Sequence, residues 1–85
     1  MSAVAQVYFE VVGEIHDLRE LASGHGVQER RQLRLRHGGV RWRKLAGTAL
    51  VRLPNDRLLW AELHWYEAHG VGRVKIKIKR LLDEP

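Results

Sequence analysis

The chain has no cysteine. That excludes disulfide cross-links and thiolate zinc sites, and it fits a reducing compartment. It also lacks an apolar run near the ~20 residues that a membrane span needs. Its first residues, Met1-Ser2-Ala3-Val4-Ala5, lack the basic start and long apolar core of a signal peptide. These absences predict a soluble cytoplasmic protein with no membrane partner. The five histidines (His16, His25, His37, His64, His69) have no tight ligand spacing such as HExxH, so neither a metal site nor a cofactor is expected. Gly70-Val71-Gly72 follows a strand but leads into another strand, so it is no phosphate loop. There is no nucleophile elbow, internal repeat, low-complexity tract or linker.

At 85 residues the chain forms one domain, residues 1–85, and chains of this size bury only about 60–65% of their unfolded surface. Stability beyond that must come from good packing or from a partner chain. The net charge is +5, unevenly spread. Residues 1–27 hold one base (Arg19) and four acids (Glu10, Glu14, Asp17, Glu20), net −3. Residues 28–85 hold fourteen bases and six acids, net +8. A basic half of this size favours an anionic partner such as RNA, another polyanion or an acidic protein, against the alternative of a merely solvated surface.

Loose alternation and Val, Tyr and Phe predict a first strand over residues 3–12, broken at Gly13. Residues 14–22 are ambiguous. Ile15, Leu18, Leu21 and Ala22 recur at helical spacing, and a continued strand is the alternative. Residues 27–37 are rich in helix formers and end at Gly38-Gly39, which predicts a basic helix with Arg30, Arg31 and Arg34 on one face. Arg41-Trp42-Arg43-Lys44 is a basic and aromatic cluster leading into the sheet. The C-terminal half reads as a meander with strands near 48–53, 58–67 and 72–80, punctuated by a turn at Pro54-Asn55-Asp56 and a loop at 68–71. The expected fold class is therefore α+β: an N-terminal strand, one or two helices, then a three-stranded antiparallel β-meander.

Alternation in the last strand sets Val74, Ile76 and Ile78 inward and Arg73, Lys75, Lys77 and Lys79 outward. A loop at 68–71 then pairs Trp65 with Val74, Leu63 with Ile76 and Ala61 with Ile78. The same register places Tyr66 opposite Arg73, His64 opposite Lys75, Glu62 opposite Lys77 and Trp60 opposite Lys79. Ala49, Val51 and Leu53 point inward, which requires an odd-length turn or a bulge around 54–58. Aromatics interleaved with cations on the outer face suit single-stranded RNA, whose bases stack on rings while Lys and Arg neutralise phosphates. The expected nucleic-acid-binding residues are Arg41, Trp42, Arg43, Lys44, Trp60, Arg73, Lys75, Lys77 and Lys79. The competing reading covers this face with a helix or strand, making Trp60 and Tyr66 core beneath snorkelling lysine stems.

Catalysis is a second expectation. Cleaving RNA needs a base for the 2′-hydroxyl proton, an acid for the leaving oxygen and cations for the phosphate. His64, Tyr66, Glu67 and His69 are the candidates. A Glu62–Lys77 pair reads as a cross-strand ion pair rather than as catalytic. A third reading is a protein-interaction module that binds an acidic partner or forms a homodimer.

The residues Arg41-Trp42-Arg43-Lys44, Ala61-Glu62-Leu63-His64-Trp65-Tyr66-Glu67-Ala68-His69-Gly70 and Lys75-Ile76-Lys77 resemble a family of short uncharacterised bacterial proteins. That resemblance spans roughly residues 27–80 and implies a bacterial source. In size, charge and layout the chain is also similar to RelE-type toxins, ribosome-dependent messenger-RNA endonucleases that place helices before an antiparallel sheet. The predicted first strand departs from that layout, and no catalytic residue is carried over from it.

Overall fold

A computed structural model describes residues 8–85. The chain runs β1 (Glu10–Ser23), a 3-10 turn (Gly24–Gly26), α1 (Arg30–His37), β2 (Trp42–Arg52), β3 (Leu58–Ala68) and β4 (Gly72–Leu81). The strands form one antiparallel sheet of four in the order β1-β2-β3-β4. This corrects the expected α+β layout. The architecture is mostly a four-stranded meander with one short helix, and the expected part of the first strand before Tyr8 lies outside the described residues.

Residues 14–22 belong to β1, not to a helix. Their helical spacing has a local cause. Between the pairs Val12↔Leu50 and His16↔Thr48, β1 spends four residues against two of β2, and further shifts follow before Arg19 and before Ala22. Gly13 (φ 80°) and Asp17 (φ 53°) take left-handed backbone at these irregularities. Bulges add residues to one strand and so destroy the period of two that alternation depends on.

The inner face carries Leu45, Ala49, Val51, Ala61, Leu63 and Trp65, with Phe9, Val11 and Ile15 from the β1 side and Leu53, Ile76 and Ile78 partly buried against them. Gly47 sits within it. A Cβ there would lie 2.5 Å from Ile15 Cγ2, 3.0 Å from the His16 carbonyl oxygen and 3.3 Å from the Trp65 ring. The Ile15 tip can shift but the backbone oxygen cannot. Gly47→Ala is therefore expected to cost about 1–3 kcal/mol of stability, read as a lower urea midpoint.

The outer face is packed at one end. There Val27 and Leu33 bury against Trp42, Tyr66 and Ala68, with Val74 beside them. This explains why β2 starts at Trp42, earlier than the expected 48: Trp42 is buried on the outer face, exposed Arg43 and half-buried Lys44 follow, and Leu45, Ala46 and Gly47 are then all buried, so no alternation marks them.

The β2–β3 connection closes by Leu53 N–H to the Arg57 carbonyl (2.9 Å) and Asp56 N–H to the Leu53 carbonyl (2.8 Å), which brings Ala49 opposite Ala61 and Val51 opposite Leu59. The β3–β4 register differs from the expected one. Glu67 faces Arg73, Tyr66 faces Val74, His64 faces Lys77, Leu63 faces Ile78 and Glu62 faces Arg80. β4 spends an extra residue at Lys75, which has φ 57°, and another at Lys79. The two bulges keep Ile76 and Ile78 inward while sending Val74 to the outer face.

Candidate nucleic-acid interface

Helix α1 has the sequence Arg-Arg-Gln-Leu-Arg-Leu-Arg-His, without an acid and with one buried residue, Leu33. It ends where Gly38 takes φ 77° and donates its N–H to the Arg34 carbonyl at 2.9 Å, a conformation that costs glycine least. Arg34, Arg36 and His37 sit in its last turn, where cations complement the helix dipole. The helix is held on the sheet by Leu33, by the Trp42 indole N–H donating to the Gly38 carbonyl (3.1 Å), and by Glu29 just before its start.

Glu29 accepts from the Lys75 ammonium at 2.7 Å and the Tyr66 hydroxyl at 3.0 Å. The Lys75 hydrogen bond, then that of Tyr66, holds the Glu29 carboxyl below its ordinary range. Burial, then the Glu29 bond, pushes the Tyr66 phenol up. Lys44 and Lys75 each place their ammonium 5.9 Å from the Tyr66 ring centroid. Tyr66 is 6% exposed and Trp42 is 1% exposed. Neither can serve as a base-stacking platform, which corrects the expectation for Trp42 and removes Tyr66 as an accessible acid.

Beyond the helix, the outer face is open. Glu62 accepts from Arg19 Nη2, His64 Nε2 and Arg80 Nε, each at 3.0 Å. The His64 bond first, then Arg80, lowers the Glu62 carboxyl below its ordinary value of 4.5. Because a carboxylate only accepts, Nε2 of His64 carries the hydrogen. Nδ1 of His64 is buried and has no partner among the described residues. His16 stands edge-on to half-buried Trp60, with ring centroids 6.4 Å apart.

The lowered carboxyls fix the sign of an acid effect. Their stabilising contribution is present above about pH 4.5 and is lost as pH falls through the lowered folded values. The melting temperature is therefore expected to drop on acidification below that pH, and to drop less in Glu62→Gln and Glu29→Gln variants.

The four expected catalytic residues do not converge. His64 is on the outer face beside Glu62. Tyr66 is tied to Glu29. Glu67 turns to the inner-face side, where it accepts from Arg43 (3.0 Å) and the Trp65 indole (3.1 Å) and lies 3.7 Å from Arg73. His69 is exposed in the β3–β4 turn. Glu62 does not pair with Lys77, because the turn register and the bulges at Lys75 and Lys79 together bring Arg80 opposite it instead.

Several expected nucleic-acid residues are already neutralised: Arg43 by Glu20 and Glu67, Arg73 by Glu67, and Lys75 by Glu29. Arg73 also lies over the Trp65 ring, 5.4 Å from its centroid. Arg41, Lys77 and Lys79 are exposed. Among the described residues these three, together with Lys44 and the α1 residues Arg30, Arg31, Arg34 and Arg36, form no salt bridge.

The α1 arginines are the sites that reading by sheet face missed; their signal was a run of bases from 30 to 37 with no acid. A shallow depression of about 380 Å³ is lined by Arg31, Arg34, Leu35 and Gly39. Leu35, 79% exposed, lies among these cations, and Val40, 80% exposed, directly precedes Arg41. A notch lined by Arg36, His37 and Lys75 joins the helix to β4.

Comparison with protein-family models, curated proteins and solved structures returns no match.

Proposed function

We propose that the protein binds single-stranded RNA by its phosphate backbone, along a strip formed by the α1 arginines, Arg41 and the free β4 lysines. One observation carries this reading: among the described residues the cations of α1 and Arg41 have no carboxylate partner, while five of the six salt-bridged glutamates are engaged on the sheet strands or beside β3 and β4 and the sixth pairs with Arg57. Arginine forks suit phosphate oxygens, and exposed Leu35 and Val40 can lie against sugars or bases. Base stacking is left to half-buried Trp60 beside His16, since Tyr66 and Trp42 are buried.

The test is fluorescence anisotropy of a labelled single-stranded RNA pool across a salt series. Affinity is expected to fall steeply as salt rises. Absent binding at 50 mM salt (on the order of the low end of such titrations), or binding indifferent to salt, overturns the reading.

RNA cleavage is a second reading, favoured by the Glu62–His64 pair. Glu62 holds the His64 Nε2 edge beside Arg19 and Arg80, and since Nδ1 is buried the Nε2 edge is the one that meets RNA. Prolonged incubation should then yield cleaved RNA with wild type and none with His64→Ala. RNA left intact by both rejects it.

A further inference from the structure

We infer that two copies of this chain pair edge to edge, β1 against β4 of the other copy, and close a barrel of eight strands with the inner face inside. The two outer strands of the sheet are β1 and β4. Among the described residues each leaves one row of backbone N–H and C=O groups unpaired by the sheet, which is a template for another strand. Their charges are opposite. β1 carries Glu10, Glu14, Asp17 and Glu20 against one base, Arg19; β4 carries Arg73, Lys75, Lys77, Lys79 and Arg80 and no acid.

Part of this charge is answered within the chain: Glu10 by Arg52, Glu20 by Arg43, Arg73 by Glu67, Lys75 by Glu29 and Arg80 by Glu62. What is left over is complementary. Glu14 and Asp17 on β1, and Lys77 and Lys79 on β4, make no salt bridge among the described residues. Pairing β1 with β1 sets acid against acid, and pairing β4 with β4 sets lysine against lysine. Only β1 against β4 satisfies both edges.

Strand direction permits the closure. In the antiparallel order β1-β2-β3-β4, β1 and β4 run oppositely, so a partner's β1 continues the alternation beside β4. A two-fold axis along the barrel then makes both seams at once and leaves no edge. About eight strands is also the number at which side chains fill a barrel interior.

The apolar surface agrees. Phe9, Val11 and Ile15 on one side and Ile76 and Ile78 on the other are only partly buried on the inner face. Leu18 on β1, beside Leu45 and Trp65, and Leu81 at the end of β4, opposite Ala61, are exposed on the same side. A second copy covers these groups and supplies the burial that one small chain lacks. The seam takes Lys77 and Lys79 from the proposed RNA strip and leaves the α1 arginines and Arg41 outside, so sedimentation tests the seam while the salt dependence of α1 and Arg41 variants tests RNA binding separately.

The test uses two charge variants of the full chain, each checked for wild-type tryptophan fluorescence. One is Lys77→Glu with Lys79→Glu. The other is Glu14→Lys with Asp17→Asn, since Asn tolerates the left-handed backbone at 17. Sedimentation equilibrium should show the wild type as a dimer and each variant alone with about 100-fold weaker self-association. Mixing the two variants should restore a one-to-one dimer, because each acidic edge then meets a basic one. A monomeric wild type overturns the inference, as do variants that self-associate like wild type. An open-ended polymer overturns the closed ring. Because the chain has no cysteine, a Val11→Cys variant mixed with a Leu81→Cys variant gives a second readout, since the register that sets Asp17 and Glu14 against Lys77 and Lys79 brings positions 11 and 81 together. Cross-linking only within like variants contradicts the β1–β4 seam.

Discussion

Trp42→Ala should destabilise the protein by about 3–5 kcal/mol, the cost of emptying a large aromatic site in a packed core. For a chain of this size that is a large share of a total of roughly 4–13 kcal/mol. The sequence places Trp42 in a basic cluster, where a ring on the surface would serve RNA. In the structure it is 1% exposed beneath α1, among Val27, Leu33, Tyr66 and Ala68. Its indole N–H also closes the helix end by donating to the Gly38 carbonyl. Trp42→Phe keeps most of the volume but strands that carbonyl, so it should cost less, about 1–2 kcal/mol. Urea unfolding followed by fluorescence of the remaining tryptophans gives both numbers. A Trp42→Ala variant that keeps wild-type stability but loses RNA affinity would place the ring on the surface after all.

The second large effect concerns charge. A variant with Arg31, Arg34, Arg36 and Arg41 all replaced by Gln should lose most of its RNA affinity at low salt while keeping its fold. None of these four side chains is buried or forms a salt bridge among the described residues. On a single strand each phosphate contact adds about 0.7 to the slope of log affinity against log salt. Losing four contacts should flatten that slope by about 3, which corresponds to about a 50-fold difference across a four-fold salt range. The contrast is Arg43→Gln, whose side chain is already shared between Glu20 and Glu67. That variant should leave the slope almost unchanged. An unchanged slope in the fourfold variant would move RNA binding off the helix.

What could be read from the chain follows from how far apart the interacting residues are. Ile76 and Ile78 alternate with lysines, and that local pattern is visible without a fold. The positions of β3 and of the 54–56 turn follow from equally local signals. β1 escaped because its bulges sit at Gly13 and Asp17, and nothing in a period-two pattern marks an inserted residue. The start of β2 escaped because Trp42 is buried under a helix while Leu45 is buried on the opposite face. The Glu62 cluster draws Arg19 and Arg80 from positions 43 and 18 residues away, and no spacing rule joins them. The same limit applies to the cations. Their number is plain in the sequence, but which ones are already answered by a carboxylate is a property of the sheet.

The simple strand order has a kinetic consequence. Every pairing in the sheet joins strands that follow one another in the chain. β2 and β3 meet across the few residues between Arg52 and Leu58, and β4 adds across an even shorter turn after Ala68. β1 must instead close over residues 24–41, which include α1. Loop closure slows as the segment between partners lengthens. The three C-terminal strands should therefore zip first, and docking of α1 with β1 should complete the molecule, so that mutations in the β2–β3 hairpin slow folding while those in β1 mainly speed unfolding.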